Sequence, residues 1–245
     1  MSHSREIRPQ ALEIKFVVPS AQADAIRRWA RTHLEHDPHG AGPFRDEYRT
    51  SSIYFDNTDG DVFHRRGSFG RSKYRIRRYA NESVVFLERK MRQPAVLAKR
   101  RTCMPLSTLD RLARPEDDAP WAGEWFHRRI VARRLEPVCQ MSYARTARMI
   151  LRNGEPVRLT LDSDLAVHPV DGFAFTNGEG MPVLPGSVIL ELKYRGTFPA
   201  IFRHLVEEFA IAPRAASKYR IGVAALTGIH PEPAAARGGA EALYA

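Results

Sequence analysis

Cations and carboxylates recur at every second position in several short stretches of this 245-residue chain. The clearest is Lys73-Tyr74-Arg75-Ile76-Arg77. Glu13-Ile14-Lys15, Glu88-Arg89-Lys90, Lys99-Arg100-Arg101, Arg158-Leu159-Thr160-Leu161-Asp162 and Glu191-Leu192-Lys193 follow the same pattern. Side chains at i and i+2 share one face of a β-strand, so each stretch gathers its charge on one side. A single charged face is usually the wet side of a sheet. Here the faces are many, mostly positive, and backed by apolar residues such as Tyr74 and Ile76 or Leu190 and Leu192. If helices cover the apolar faces, the charges turn inward. Inward cations repel one another at low dielectric, which is tolerable when the lining is hydrated and an anion fills it. Guanidinium and ammonium groups offer many charge-assisted donors, which suits a chain of phosphates. The acidic minority, Glu13, Glu88, Asp162 and Glu191, has two available roles: ion pairing with these cations, or hard oxygen ligation of Mg²⁺ or Mn²⁺. Phosphoryl transfer asks mainly for positioning and charge stabilisation, which such a lining supplies.

These side chains need strands to carry them. Alternation predicts strands over 12–16, 51–55, 96–104 and 188–194. It also predicts a hairpin of 72–79 with 83–91, and a second of 141–151 with 157–165 turning at Asn153-Gly154. Helical spacing predicts a helix opened by Pro19-Ser20, with Ser20 as its N-cap and Ile26, Trp29, Ala30 and Leu34 as its buried stripe. Further helices are expected over 106–113, 121–135, 198–209 and 216–226, and a loop over 36–44. Tyr54 and Phe55 read as core. The expected class is α+β: one domain over 10–228 built on a closed or nearly closed antiparallel barrel, between a flexible N-terminus at 1–9 and a disordered tail at 229–245.

Composition narrows the function. Hydrophobic content is 43% and charged content 27%, values of a globular domain. No apolar run approaches the roughly 18 residues of a membrane span, and the first residues lack a signal peptide's apolar stretch, so a cytoplasmic location is the default expectation. Cys103 and Cys139 have no metal or redox spacing and read as small hydrophobes. His33, His36 and His39 straddle a helix end and a loop without supporting ligands, so no metal site is expected there. The net charge of +10 favours anionic partners. No Walker A sequence, zinc-finger spacing or aromatic RNA-binding strand is present, so nucleic-acid binding would rest on charge alone and is not expected.

Taken in order, Glu13-Ile14-Lys15-Phe16, Ser52-Ile53-Tyr54-Phe55-Asp56, Lys73-Tyr74-Arg75-Ile76-Arg77, Leu87-Glu88-Arg89-Lys90, Tyr143-Ala144-Arg145, Leu159-Thr160-Leu161-Asp162, Leu190-Glu191-Leu192-Lys193-Tyr194 and Ser217-Lys218-Tyr219 resemble the VTC catalytic domain. That is the polyphosphate polymerase domain of the vacuolar transporter chaperone complex, with standalone bacterial relatives, in the triphosphate tunnel metalloenzyme (CYTH-like) superfamily. The resemblance implies an eight-stranded antiparallel β-barrel tunnel with flanking helices. It implies transfer of the γ-phosphate of ATP onto inorganic polyphosphate, with Mn²⁺ or Mg²⁺. Carried over by motif, Arg75 and Arg77 grip the triphosphate, and Lys90, Lys99, Arg145 and Arg158 continue the phosphate path. Lys15, Lys73 and Lys193 line that path. Tyr143 donates a hydrogen bond to a phosphate, and Ser217 and Lys218 contact phosphate from the start of the last helix. Glu191 becomes the metal ligand, with Glu13 as a second candidate. One departure matters. The superfamily's first-strand Glu-x-Glu-x-Lys reads Ala11-Leu12-Glu13-Ile14-Lys15 here. The missing carboxylate argues against a two-metal hydrolase and fits a polymerase. A tunnel triphosphatase and a non-catalytic polyphosphate binder stand as the alternatives. No regulatory SPX module or membrane helices are seen, so coupling to translocation is not expected of this chain. Oligomeric state and any membrane partner stay open.

Overall fold

The computed structural model describes residues 12–38, 40–92, 97–114 and 120–230. In chain order the elements are β1 (Leu12–Pro19), α1 (Ser20–His33), β2 (Glu35–His36), β3 (Glu47–Asp56), α2 (Asp61–His64), β4 (Ser72–Tyr79), β5 (Val84–Arg92), β6 (Leu97–Pro105), α3 (Glu124–Ala132), β7 (Glu136–Arg152), β8 (Glu155–His168), β9 (Met181–Pro182), β10 (Ser187–Tyr194), α4 (Ala200–Glu208) and α5 (Lys218–Thr227). The expected terminal segments, up to residue 11 and from residue 231, lie outside the described residues.

Alternation shapes the sheet. Its main path runs β1-β10-β8-β7-β3-β4-β5-β6, antiparallel throughout, with β2 added to β7 and β9 to β8. These are the expected eight strands. The barrel, however, is not closed by backbone pairing among the described residues: β1 and β6 end the order. A side-chain contact spans the seam instead, with Lys90 Nζ of β5 lying 3.4 Å from Glu13 Oε2 of β1.

The apolar faces point outward under helices. Ile14, Phe16 and Val18 of β1 pack with Leu159, Leu161, Leu190 and Leu192 beneath Ile26, Trp29 and Ala30 of α1 and Phe202 and Leu205 of α4. A second cluster joins Ile53, Phe55, Tyr74, Ile76, Val85 and Leu87 to Phe126 and Ile130 of α3. Burial of these stripes turns the alternate, charged positions into the lumen. Near one end the lumen-facing positions become apolar. Tyr54, Met141, Tyr143 and Ile189 there meet Tyr219 and Val223 of α5. Gly222 permits this approach, since a Cβ would lie 2.4 Å from Met141 Sδ.

Several boundaries differ from expectation for identifiable reasons. Pro19 is the N-cap of α1 and Ser20 its first residue, with no side-chain cap bond. The 106–113 segment is a 3₁₀-helix, and α3 is shorter than 121–135, beginning after Gly123. The last helix starts at Lys218 with Ser217 as N-cap. β3 and β7 extend beyond the alternating runs. In β7 the residues from Cys139 to Tyr143 are buried on both faces. One face lies against α5, and on the other Gln140 bonds Thr176 through both amide groups, so no period-two pattern marks the strand. The Asn153-Gly154 turn has positive φ at both residues (52° and 77°), as a tight hairpin demands.

One buried carboxylate ties the barrel end together. Asp56 Oδ1 accepts from the backbone N–H of Asn57 (2.9 Å) and Val62 (2.8 Å), and Oδ2 accepts from Phe63 N–H (2.8 Å) and Tyr219 O–H (2.5 Å). It therefore caps α2 and latches α5, the helix that begins at Lys218. Removing it strands several buried donors. Asp56→Ala is expected to lower stability by about 3 kcal/mol, and Tyr219→Phe by about 1 kcal/mol, as read from urea unfolding midpoints at unchanged m-value.

Candidate active site

Strand register places opposite charges face to face in the lumen. Lys15 pairs with Glu191 and Glu13 with Lys193 across β1 and β10; Arg75 pairs with Glu88 across β4 and β5; Arg145 pairs with Asp162 across β7 and β8. Four carboxylate hubs result. Glu191 sits 3.0 Å from Lys15, 2.7 Å from Lys193 and 3.1 Å from Lys218. Asp162 takes both arms of Arg145, at 2.6 and 2.8 Å, and the Lys218 ammonium at 2.5 Å. Glu88 holds Arg75 at 2.6 Å, Lys99 at 3.0 Å and Arg101 at 3.3 Å. Glu13 lies 3.1 Å from Lys15, 3.4 Å from Lys90 and 3.7 Å from Lys193.

These hubs set the protonation states. Burial would push each carboxyl up, but the cations outweigh it. Glu191 and Glu88 stay well below the usual carboxylate range, and Asp162 and Glu13 also stay below theirs. For Glu191 the cations responsible are Lys15, Lys193, Lys218 and Arg145, and for Glu88 they are Arg75, Arg77, Lys99 and Arg101. The partnered Lys15 and Lys218 are held above the ordinary lysine value despite their burial. Lys99 and Lys193 are pulled down, first by burial and then by neighbouring arginines.

Among the described residues, two lumen cations have hydroxyls as their side-chain hydrogen-bond partners. Arg77, 5% exposed, donates to Ser52 Oγ at 3.1 Å and Tyr143 Oη at 2.9 Å. Lys73 donates to Ser217 Oγ at 2.9 Å. Among the described residues neither has a carboxylate at ion-pair distance. Burial, with Lys15, Lys90, Arg65 and Arg75 adding repulsion, drives the Lys73 ammonium down to about 7. The buried hydroxyls of Thr50 and Thr160, in phase with these charges, have no protein hydrogen-bond partner. The lumen thus carries more positive charge than its own carboxylates neutralise, with spare donors beside it.

The sequence-predicted residues Glu13, Lys15, Lys73, Arg75, Arg77, Lys90, Lys99, Tyr143, Arg145, Glu191, Lys193, Ser217 and Lys218 come together here. Arg158 lies further out, paired with Asp37 at 2.8 Å and donating to Tyr48 Oη at 2.9 Å. Arg101, Ser52 and Tyr54 were missed as site residues. The last two sit at alternate positions of β3, so period two pointed to them. Tyr54 is core by its ring, yet its hydroxyl accepts from Arg75 at 3.4 Å. Asp37 comes from a loop that carries no sequence signal.

Glu13 and Glu191 were the candidate metal ligands. Both are ionised, and the Lys15 ammonium bridges them, lying where a cation shared by the two would sit. Their donor chemistry fits a hard divalent ion, in competition with that ammonium. Among the described residues no group of three or more His, Cys, Asp or Glu converges, so substrate phosphates would have to supply the remaining ligands.

The described strands thus form an antiparallel barrel-like sheet with helices on its apolar outer face and a cation-lined lumen. The VTC domain family model matches residues 10–227, and the chain belongs to that family. Among solved structures, a candidate adenylate cyclase from Bacillus halodurans is similar at 16% identity and TM-score 0.53, over 85% of this chain and 94% of that one. A candidate adenylyl cyclase from Hippeastrum, described as having a dominant triphosphatase activity, aligns at 15% identity and TM-score 0.46 over 88% and 96%. A Pyrococcus horikoshii protein aligns at 13% identity and TM-score 0.45 over 83% and 92%. Among curated proteins no match is found. Among the described residues no helix is long and apolar enough to cross a membrane.

Lys73 makes the site pH-sensitive. An anion favours its charged form, so affinity for inorganic tripolyphosphate is expected to fall as pH rises from about 7 to 9. In Lys73→Arg, which stays charged, titration calorimetry should show a flatter profile; parallel profiles would refute the assignment.

Proposed function

We propose that this protein is a polyphosphate polymerase, transferring the γ-phosphate of ATP onto the end of an inorganic polyphosphate chain inside the tunnel. The observation that carries this reading is the cationic excess at buried Arg77 and half-buried Lys73, whose hydrogen-bond partners are hydroxyls rather than carboxylates. Isolated charges of this kind are costly in a low-dielectric interior unless an anion meets them. A run of phosphates suits their linear arrangement at alternate positions of β4.

In this reading Arg75 and Arg77 grip the triphosphate, and Lys15, Lys73, Lys90, Lys99, Arg145, Arg158 and Lys193 follow the chain of phosphates. Lys218 and Ser217 reach the lumen from the start of α5. Tyr143 accepts from Arg77, which leaves its own hydroxyl proton for a phosphate oxygen. A terminal phosphate oxygen of the acceptor bonds to Pγ as the Pγ–O bond to ADP breaks, and the surrounding cations stabilise the charge spread over the transferring group. A divalent ion, Mn²⁺ or Mg²⁺, held by Glu191 and Glu13, would add charge neutralisation between phosphate oxygens when bound. ATP as donor fits a cytoplasmic protein, the location we take with this reading.

The direct test is incubation of the pure protein with ATP and Mn²⁺, with and without a short phosphate primer, and separation of products on a gel. A long phosphate ladder, lost in Glu191→Ala, is expected. Orthophosphate without a ladder would move the assignment to a hydrolase, and tight polyphosphate binding without turnover would leave a binder.

Arg77→Met separates function from folding. It keeps side-chain bulk but removes a buried charge whose hydrogen-bond partners are hydroxyls rather than a carboxylate. Turnover is expected to fall at least about 100-fold. The melting temperature should hold or rise, since no carboxylate is orphaned. A fall in both would mean that Arg77 is structural.

A further inference from the structure

The lumen changes character at the β4–β5 hairpin, the end away from α5. Tyr79 is in phase with Arg75 and Arg77 on β4, Phe86 with Glu88 and Lys90 on β5, and Tyr48 with Ser52 on β3. Their phase puts all three rings on the lumen side, and each is half-buried rather than buried. Tyr79 meets Tyr48 edge-on at 5.7 Å and Phe86 at 5.5 Å between ring centroids. The rings are joined to the inner cations. Arg101 lies over Phe86 at 3.6 Å and donates to Tyr79 Oη at 3.1 Å, while Arg158 donates to Tyr48 Oη at 2.9 Å.

An inorganic phosphate chain has no use for aromatic faces. Rings that only sealed the barrel would be expected to bury themselves, as Phe126 and Phe202 do on the outer faces. The opposite end is covered by α5, which sends Lys218 inward. A substrate with phosphates at one end and a planar group at the other therefore meets its complement here, in the right order: rings first, then Arg77 and Arg75.

We propose that Tyr48, Tyr79 and Phe86 form a nucleobase subsite at this mouth, stacking the base of the donor nucleotide and aiming its triphosphate inward. The proposal rests on the phosphate-tunnel reading above and deepens it. Stacking on ring faces tolerates different bases, so ATP and GTP are both held, in contrast to a site that reads base edges.

The test compares binding of ATP, GTP and inorganic tripolyphosphate by titration calorimetry. In the Tyr48→Leu/Tyr79→Leu double variant, affinity for ATP and GTP is expected to fall about tenfold or more, while tripolyphosphate binding stays within about twofold. The Tyr48→Phe/Tyr79→Phe variant keeps both rings and should retain ATP affinity. Equal losses for all three ligands would overturn the proposal, because the phenols would then act only by holding Arg101 and Arg158. So would unchanged ATP affinity in the leucine variant. Failure of the wild type to bind tripolyphosphate would instead bring down the tunnel reading, and the subsite with it. Circular dichroism of both variants guards against misfolding.

Discussion

Everything in this structure depends on keeping many positive charges inside a barrel. Register provides the means. Lys15 opposite Glu191, Arg75 opposite Glu88 and Arg145 opposite Asp162 are direct cross-strand pairs, so the hydrogen-bond ladder itself distributes the neutralising carboxylates around the lumen. A one-residue slip in any of these strands would send the charges into the helical layers and the leucines into the lumen. Fold and site are therefore specified by one pattern, and neither can drift without the other.

Neutralisation is deliberately incomplete. Arg77 and Lys73 stand outside the hubs, and the structure accommodates them with hydroxyls from Ser52, Tyr143 and Ser217. Those groups are weak partners compared with a carboxylate, so a phosphate oxygen can displace them at little cost. Lys218 is the opposite case. It bridges Asp162 and Glu191, linking two hubs from a helix that Asp56 latches in place through Tyr219. Stability and site geometry meet at that latch.

The period-two charges of β4, β5, β8 and β10 were legible because each strand has one wet and one dry face. The outer apolar stripes of α1 and α4 were legible for the same reason. What stayed hidden shares a different cause. β7 is buried on both sides between Cys139 and Tyr143, so its pattern vanishes just where it meets α5. Asp37 reaches Arg158 from a loop whose course no local rule predicts. Whether the barrel closes fully was left open between closed and nearly closed, because strand count predicts a barrel's walls but not whether its two last edges pair. Glu13 and Glu191 were read as metal ligands through the family resemblance, their type alone leaving ion pairing equally open. That Lys15 sits between them is a fact of three dimensions.

The open seam has a consequence for how copies of this protein meet one another. Among the described residues β1 and β6 each present an unpaired edge, the kind of surface that invites a second chain to add a strand. β6 carries Lys99, Arg100 and Arg101 in succession along that edge. Two such edges approaching each other would bring like charges within reach before any backbone bond could form. On that edge the same cations that line the lumen would oppose strand addition by a like-charged copy. An anion that neutralised them from outside would remove that opposition.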